Sequence, residues 1–199
     1  MPANLILASN SASRKMLMTG AGLAFDAMAA EIDERAIELD LASRNATPQE
    51  IAVALAQAKA LAVSQARPEA YVVGSDQVLS LDGRLFHKPA SRAEAVDHIK
   101  AMSGRTHYLN CGVAVAQAGS VLWSDISVAA MTMRSISPEA AVRYVETAGD
   151  DILGSVGAYQ LEGLGVRLFE RIEGDYFTIL GLPLLKLLAA LRQFGVIDA

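Results

Sequence analysis

The 199-residue chain has a single cysteine, three histidines, one tryptophan and no surplus of positive charge. One cysteine, Cys111, excludes an intrachain disulfide framework and fits a reducing compartment, so a cytoplasmic protein is expected. Cys111 lies in an apolar segment, where a buried, inert thiol is the expected state. His87, His98 and His107 lack metal-ligand spacing, which argues against a zinc site. Lysine and arginine number 17 against 22 aspartates and glutamates, for a net charge of −5. No basic stripe of the kind a nucleic-acid groove needs is therefore expected. A small anionic ligand is not excluded, because a few local cations suffice. Mean hydropathy is +0.29, yet no apolar run approaches the ~18 residues that span a bilayer, so no membrane partner is expected. The short apolar run at the start has no charged segment before it and passes into Ser and Arg, unlike a signal peptide.

Apolar residues are plentiful. Hydrophobic side chains make up 52% of the chain and charged ones 20%, enough for the core of one large domain or two intimate lobes. No internal repeat, low-complexity tract or linker interrupts it, so residues 1–199 are read as one domain. Thr47-Pro48-Gln49-Glu50 is a capping box with Pro at the first helical position, opening an Ala-rich helix to about Ala66. Ser91-Arg92-Ala93-Glu94 is a second box, for a helix ending at Ser103-Gly104. Ser137-Pro138-Glu139 opens a third helix, and Pro183 a last one with Leu184, Leu185, Leu187, Leu188 and Leu191 as its core stripe. Strands are predicted at Leu5–Ala8, Tyr71–Leu81, Leu109–Ala116, Val121–Met133, Val166–Glu170 and Tyr176–Leu180. Leu81-Asp82-Gly83-Arg84 reads as a tight hairpin. Gln117–Ser120 and Glu173-Gly174-Asp175 read as further turns between neighbouring strands. Hairpins among these strands predict a mixed sheet.

The stretch Leu5-Ile6-Leu7-Ala8-Ser9-Asn10-Ser11-Ala12-Ser13-Arg14-Lys15 carries the most chemistry. A strand runs into hydroxyls and two adjacent cations where a helix begins. A helix start offers unpaired N–H groups and the positive end of the macrodipole, which together favour phosphate. Arg14 and Lys15 either extend that anion site or are solvated cations on a well-capped helix. Asp76 stands inside the apolar strand Tyr71–Leu79, where a carboxylate is costly unless paired, hydrogen-bonded or bound to a metal. Gly74 before it signals a bulge or a close approach by another group. Lys59 sits among small apolar residues of the Ala-rich helix, and Lys88-Pro89 follows the hairpin. Glu31, Asp33 and Glu34 are either a metal-facing cluster or an acidic surface loop. The segment 154–165 is rich in glycine, as a loop closely approaching a planar ligand would be, yet it also carries Val, Tyr and Leu.

In order along the chain, these segments resemble the Maf family of nucleotide pyrophosphatases. The matching blocks are Leu7-Ala8-Ser9-x-Ser11-x-x-Arg14, Asp33-Glu34, Lys59-Ala60, Gly74-Ser75-Asp76-Gln77-Val78 and Lys88-Pro89. Ser103-Gly104-Arg105-Thr106-His107, Gly157-Ala158-Tyr159-x-x-Glu162-Gly163 and Gly181-Leu182-Pro183-Leu184 complete the set. The resemblance implies a mixed α/β fold with an elongated twisted sheet, flanking helices and two lobes around a central cleft, similar to inosine triphosphatases. It implies a metal-dependent, house-cleaning hydrolase that splits a nucleoside triphosphate between the α- and β-phosphates. Asp76 and Glu34 would hold Mg²⁺, or Mn²⁺ or Co²⁺ in its place, and Asp76 would activate water. Ser9, Ser11, Ser13, Arg14 and Lys15 would grip the phosphates, with Lys59 and Lys88 offsetting charge. A homodimer is compatible with the resemblance.

Departures from the family's commonest pattern bear on the base. Enzymes for dTTP and UTP read S-x-S-P-R-R, A-D-T and Y-x-I-Q-G, where this chain has Ser13 for Arg, Gln77 for Thr and Glu162 for Gln. Gln77 and Glu162 look like the 7-methyl-GTP branch, which usually carries Trp where Ser13 stands. A carboxylate accepts from guanine N1–H and its amine together but repels the carbonyls of uracil. The expected substrate is thus 7-methyl-GTP or another modified purine nucleotide, with dTTP/UTP hydrolysis as the alternative. A nucleotide-binding regulator of cell division without turnover is the alternative of another class.

Overall fold

The computed structural model of the protein describes residues 4–198. In chain order it contains β1 (Leu5–Leu7), α1 (Ala12–Gly20), β2 (Asp26–Ala27), α2 (Glu34–Ser43), α3 (Pro48–Ala66) and β3 (Tyr71–Leu81). Then follow β4 (Arg84–Phe86), α4 (Arg92–Met102), β5 (Thr106–Gln117), β6 (Ser120–Met133) and α5 (Pro138–Ala148). Two 3-10 turns, Asp150–Gly154 and Leu164–Leu168, precede β7 (Phe169–Glu173), α6 (Tyr176–Ile179) and α7 (Leu184–Gln193). The strands pair in the order β2-β1-β3-β5-β6-β7, with β4 added to β3. β1 runs parallel to β2 and β3, whereas β3–β4 and β6–β7 are antiparallel. The fold is mixed α/β, as the hairpin signals predict. No helix among the described residues is long and apolar enough to cross a membrane.

The chain divides into two compact units, although its sequence reads as one domain. Unit 1 comprises Met1–Gln77, Cys111–Ser127 and Tyr176–Ala199; unit 2 comprises Val78–Asn110 and Val128–Asp175. The boundaries fall inside the long strands β3, β5 and β6 and just before α6.

Unit 1 is built on small residues. Ala52, Ala56 and Ala60 form an i, i+4 row on α3 and are fully buried, so the helix backbone can approach the sheet closely. A Cβ at Gly74 would lie 2.1 Å from the Ala56 carbonyl oxygen, and one at Gly112 would lie 2.3 Å from that of Ala52. The close approach signalled by Gly74 is that of α3. Ile6, Ala8, Val63, Val72, Ala114 and Ala116 complete this core. The Thr47 capping box that starts α3 is fully formed, with each side chain bonding the other residue's backbone N–H.

Unit 2 contains the β3–β4 hairpin and a helix pair. The turn at Asp82-Gly83 has φ of 49° and 78°, the left-handed pair whose twist suits a two-residue hairpin. Helices α4 and α5 pack together. At α4 the Ser91 hydroxyl accepts from the Glu94 N–H as the box predicts, but the Glu94 carboxylate accepts from Ala90 N–H instead of Ser91.

Several expectations are corrected. Residues 176–180, predicted as a strand, contain helix α6 (Tyr176–Ile179); a short apolar run has no period long enough to separate the two states. Val166–Glu170 is a 3-10 turn up to Leu168, and the strand begins at Phe169. The Glu173–Asp175 turn consequently joins β7 to a helix. On α7, Leu185 is 62% exposed, so the buried stripe is Leu184, Leu187, Ala190 and Leu191.

Candidate active site

Parallel pairing of β1 with β3 sets Leu7 opposite Val73, and Ala8 N–H donates to the Val73 carbonyl at 2.8 Å. Ser9 thus leaves the carboxyl end of β1, where open α/β sheets hold their ligands, and Asp76 follows on β3 three residues past the last residue paired with β1. Beyond Ser9 the chain turns into α1. The Ser11 hydroxyl accepts from Arg14 N–H, and Ser9 Oγ accepts from Ser11 N–H and from Arg14 Nη1, both at 3.2 Å. Arg14 Nε donates to the Gly181 carbonyl at 2.7 Å. The guanidinium is therefore largely committed to the protein. Ser13 and Lys15 make no side-chain hydrogen bond among the described residues, and Lys15 is the cation free to meet an anion at this helix start.

Asp76 is resolved by strand alternation. Gly74 and Asp76 face α3, and Ser75 and Gln77 face the other way. The contact of Gly74 with Ala56 and Ala60 brings Lys59 alongside: its Nζ is 2.5 Å from Asp76 Oδ1 and 2.9 Å from Glu34 Oε1. The Lys59 and Asp76 side chains are about one-tenth exposed (10% and 11%), and Glu34 is 54% exposed. An ammonium between two carboxylates leaves one net negative charge. Lys59 has a third N–H, and the second oxygen of each carboxylate makes no hydrogen bond to the described residues. Glu34 is the first residue of α2, whose N-cap is Asp33 through a 2.9 Å bond from Ala36 N–H. Glu31 is exposed and takes no part.

On the opposite face, Gln77 Nε2 donates to the carbonyls of Thr178 and Ile179 at 2.8 and 3.1 Å. Its amide donors are spent on α6, which leaves only Oε1 for another group. Ser75 Oγ lies 2.8 Å from the Gly112 carbonyl and 3.0 Å from that of Gly181, and its one proton serves either. Gly181, at φ +95°, is a conformation suited to glycine. Its carbonyl accepts from Arg14 Nε and lies within reach of the Ser75 hydroxyl, so the α1 start and the Asp76 strand meet at one atom. Ser75 and Gly181 were not among the residues singled out for chemistry. The sequence signal for them was their place in the Gly74–Val78 and Gly181–Leu184 blocks of the resemblance, with no role attached.

The carboxylates of Asp76 and Glu34 form an all-oxygen donor set, which suits a hard divalent cation that takes one or two carboxylates and fills its shell with water and phosphate. No group of three or more His, Cys, Asp or Glu converges among the described residues, so those residues offer no all-protein cage.

Two expected site residues belong to unit 2. Lys88 is exposed in the segment after β4. Glu162 is exposed in the turn ahead of the second 3-10 segment, and its carboxylate has no partner among the described residues. Three residues before it, Tyr159 Oη lies 2.7 Å from His107 Nε2, both groups buried. Burial without a charged partner pushes His107 down to about 4 and drives the Tyr159 phenol far above its usual range.

The fold is that of a mixed α/β protein in which a capped helix start follows a parallel strand pair and two carboxylates meet one buried lysine. The chain belongs to the Maf family: the family described as "Maf-like protein" matches residues 4–194. It is 52% identical over 198 residues to a 7-methyl-GTP pyrophosphatase of Rhizobium etli, covering 100% of both chains. A nucleoside triphosphate pyrophosphatase of Bradyrhizobium diazoefficiens is 55% identical over 95% of this chain and 93% of its own. One from Nitrobacter winogradskyi is 56% identical over the same shares.

Proposed function

We propose that this protein hydrolyses nucleoside triphosphates to a nucleoside monophosphate and pyrophosphate, with 7-methyl-GTP or another modified purine nucleotide as preferred substrate. The observation that carries the reading is the buried Lys59 ammonium holding Asp76 at 2.5 Å and Glu34 at 2.9 Å. A pure binding protein has no use for a buried carboxylate whose outer oxygen is left free. The pyrophosphatase names of relatives at 52–55% identity over nearly the full length support the same activity.

Lys15, Ser13 and the free N–H groups of Ala12 and Ser13 hold phosphate oxygens at the start of α1. Arg14 aligns that start through Ser9 and Gly181. Asp76 and Glu34 hold a divalent cation, which when bound neutralises phosphate charge. Lys59 fixes the Asp76 carboxylate through Oδ1, so Oδ2 can take a proton from the attacking water. As the water oxygen bonds to phosphorus, the anhydride bond between the α- and β-phosphates breaks and pyrophosphate departs with the electron pair. Lys59 and Lys88 offset the charge that develops. Glu162 accepts from guanine N1–H and its amine, and Gln77, whose amine is committed to α6, contributes at most an acceptor.

The test is pyrophosphate release from 7-methyl-GTP, GTP, dTTP, UTP, CTP, ITP and ATP, with Asp76→Asn in parallel. Turnover strongest on 7-methyl-GTP, lost by roughly a thousandfold or more in Asp76→Asn with nucleotide binding retained, is the expected result. A dTTP/UTP preference overturns the base assignment. Binding without turnover on any nucleotide makes the protein a nucleotide-binding regulator.

A further inference from the structure

The turn that carries Glu162 is held from below. Tyr159, three residues earlier, is buried with its ring edge-on to Phe169 at 4.8 Å between centroids. Its hydroxyl meets His107 Nε2 at 2.7 Å, and His107 is fully buried on β5. The ring packs directly against the Gly157 backbone. A Cβ at Gly157 would lie 2.3 Å from the Tyr159 ring and 2.9 Å from Leu79. Ala158 takes φ +56°, and its carbonyl accepts from the Tyr144 hydroxyl at 3.3 Å. Above the ring the turn closes on itself: Gly163 N–H donates to the Gln160 carbonyl at 3.2 Å, and a Cβ at Gly165 would come within 2.4 Å of that oxygen.

Packing alone does not call for this arrangement. A Phe in place of Tyr159 would bury the same ring without desolvating a hydroxyl, and His107 Nδ1 is buried without a partner among the described residues. A directional bond adds a fixed height and orientation for the ring, hence for the residues three positions on. Three positions on stands Glu162, an exposed carboxylate with no partner of its own among the described residues. We propose that the His107–Tyr159 hydrogen bond is a positioning device for Glu162 and sets how sharply the protein distinguishes nucleobases. The proposal rests on the reading that Glu162 contacts the base.

The experiment measures kcat/KM for 7-methyl-GTP and for UTP, with Tm alongside, in the full-length protein and in Tyr159→Phe, His107→Leu, His107→Gln and Glu162→Gln. Tyr159→Phe and His107→Leu are expected to lower the 7-methyl-GTP to UTP ratio about fivefold, through KM for 7-methyl-GTP, with kcat on UTP within about twofold of the parent. His107→Gln, whose amide can still bond the phenol, is expected to keep the ratio within about twofold even if Tm falls. A lower Tm with an unchanged ratio in Tyr159→Phe and His107→Leu would make the pair merely structural and overturn the proposal. Should those two alone fail to fold, a ratio that collapses in His107→Gln also overturns it, and a retained one supports it. If Glu162→Gln itself leaves the ratio unmoved, the base reading fails and the positioning role falls with it. If Glu162→Gln moves the ratio and Tyr159→Phe does not, the reading stands and only this inference is lost.

Discussion

Two polar clusters of this molecule, each built around a buried pair, solve opposite problems. In unit 1, Lys59, Asp76 and Glu34 are charged and held by short charge-assisted bonds. In unit 2, His107 and Tyr159 are neutral, and desolvation keeps them so. Charges withdrawn from water survive only if paired, and the pairing itself readies groups for proton transfer and cation binding. A neutral pair gives direction without charge, which suits holding a turn in place. On the proposed reading, chemistry falls to the charged cluster and positioning to the neutral one.

Removing the charge that balances unit 1 is the most severe way to break this contrast. Lys59→Met would leave the nearly buried Asp76 carboxylate facing Glu34 without a counter-ion. Stability should fall by about 2–4 kcal/mol and turnover by roughly a thousandfold or more. Adding Asp76→Asn to Lys59→Met should recover most of the stability and none of the turnover. Urea unfolding of the three variants checks the first part and pyrophosphate release the second. A Lys59→Met protein as stable as the parent would mean that Lys59 is not the counter-ion on which the Asp76 carboxylate depends.

Unit 2 should answer to acid instead. His107 titrates at about 4 in the folded protein, against about 6.5 for an unfolded imidazole. Between those values the unfolded chain binds the extra proton, so stability rises with pH across this window and is lost as pH falls from about 6.5 to about 4. A gap of that size corresponds to about 3 kcal/mol. Urea unfolding from pH 7 down to pH 4 should show the parent losing about that much more than His107→Gln, which carries no titrating ring. Equal losses would place the acid sensitivity elsewhere and deny the pair its neutral character.

The charged cluster was far more legible in the sequence than the neutral one. Asp76 in an apolar strand and Lys59 among alanines are each conspicuous, and Gly74 marked the close approach that joins them. Glu34 was named, but its helix was not. α2 buries no residue, so it carries no apolar stripe for periodicity to detect. The Gln77 bond to α6 was also invisible, because its partners are backbone carbonyls 101 and 102 positions away and every residue type has one. Residues 176–180 were misread for a related reason: a five-residue apolar run is shorter than the period needed to separate strand from helix. His107 and Tyr159 both fell in blocks shared with the family, yet nothing in either block pointed to the other.

The mildest change sharpens the comparison at the α1 start. Ser11→Ala removes the N-cap hydroxyl that accepts from Arg14 N–H, which should cost about 1 kcal/mol of stability. The phosphates of every nucleotide triphosphate are alike, so any loss of binding there must be blind to the base. KM should therefore rise by the same small factor, about two- to fivefold, for 7-methyl-GTP, GTP and UTP. The ratios among them should stay fixed, in contrast to Glu162→Gln. Steady-state kinetics on the three nucleotides decides it. A change in the ratios would show that the helix start takes part in reading the base, and the division of labour between a base-blind charged region and a base-reading turn would not hold.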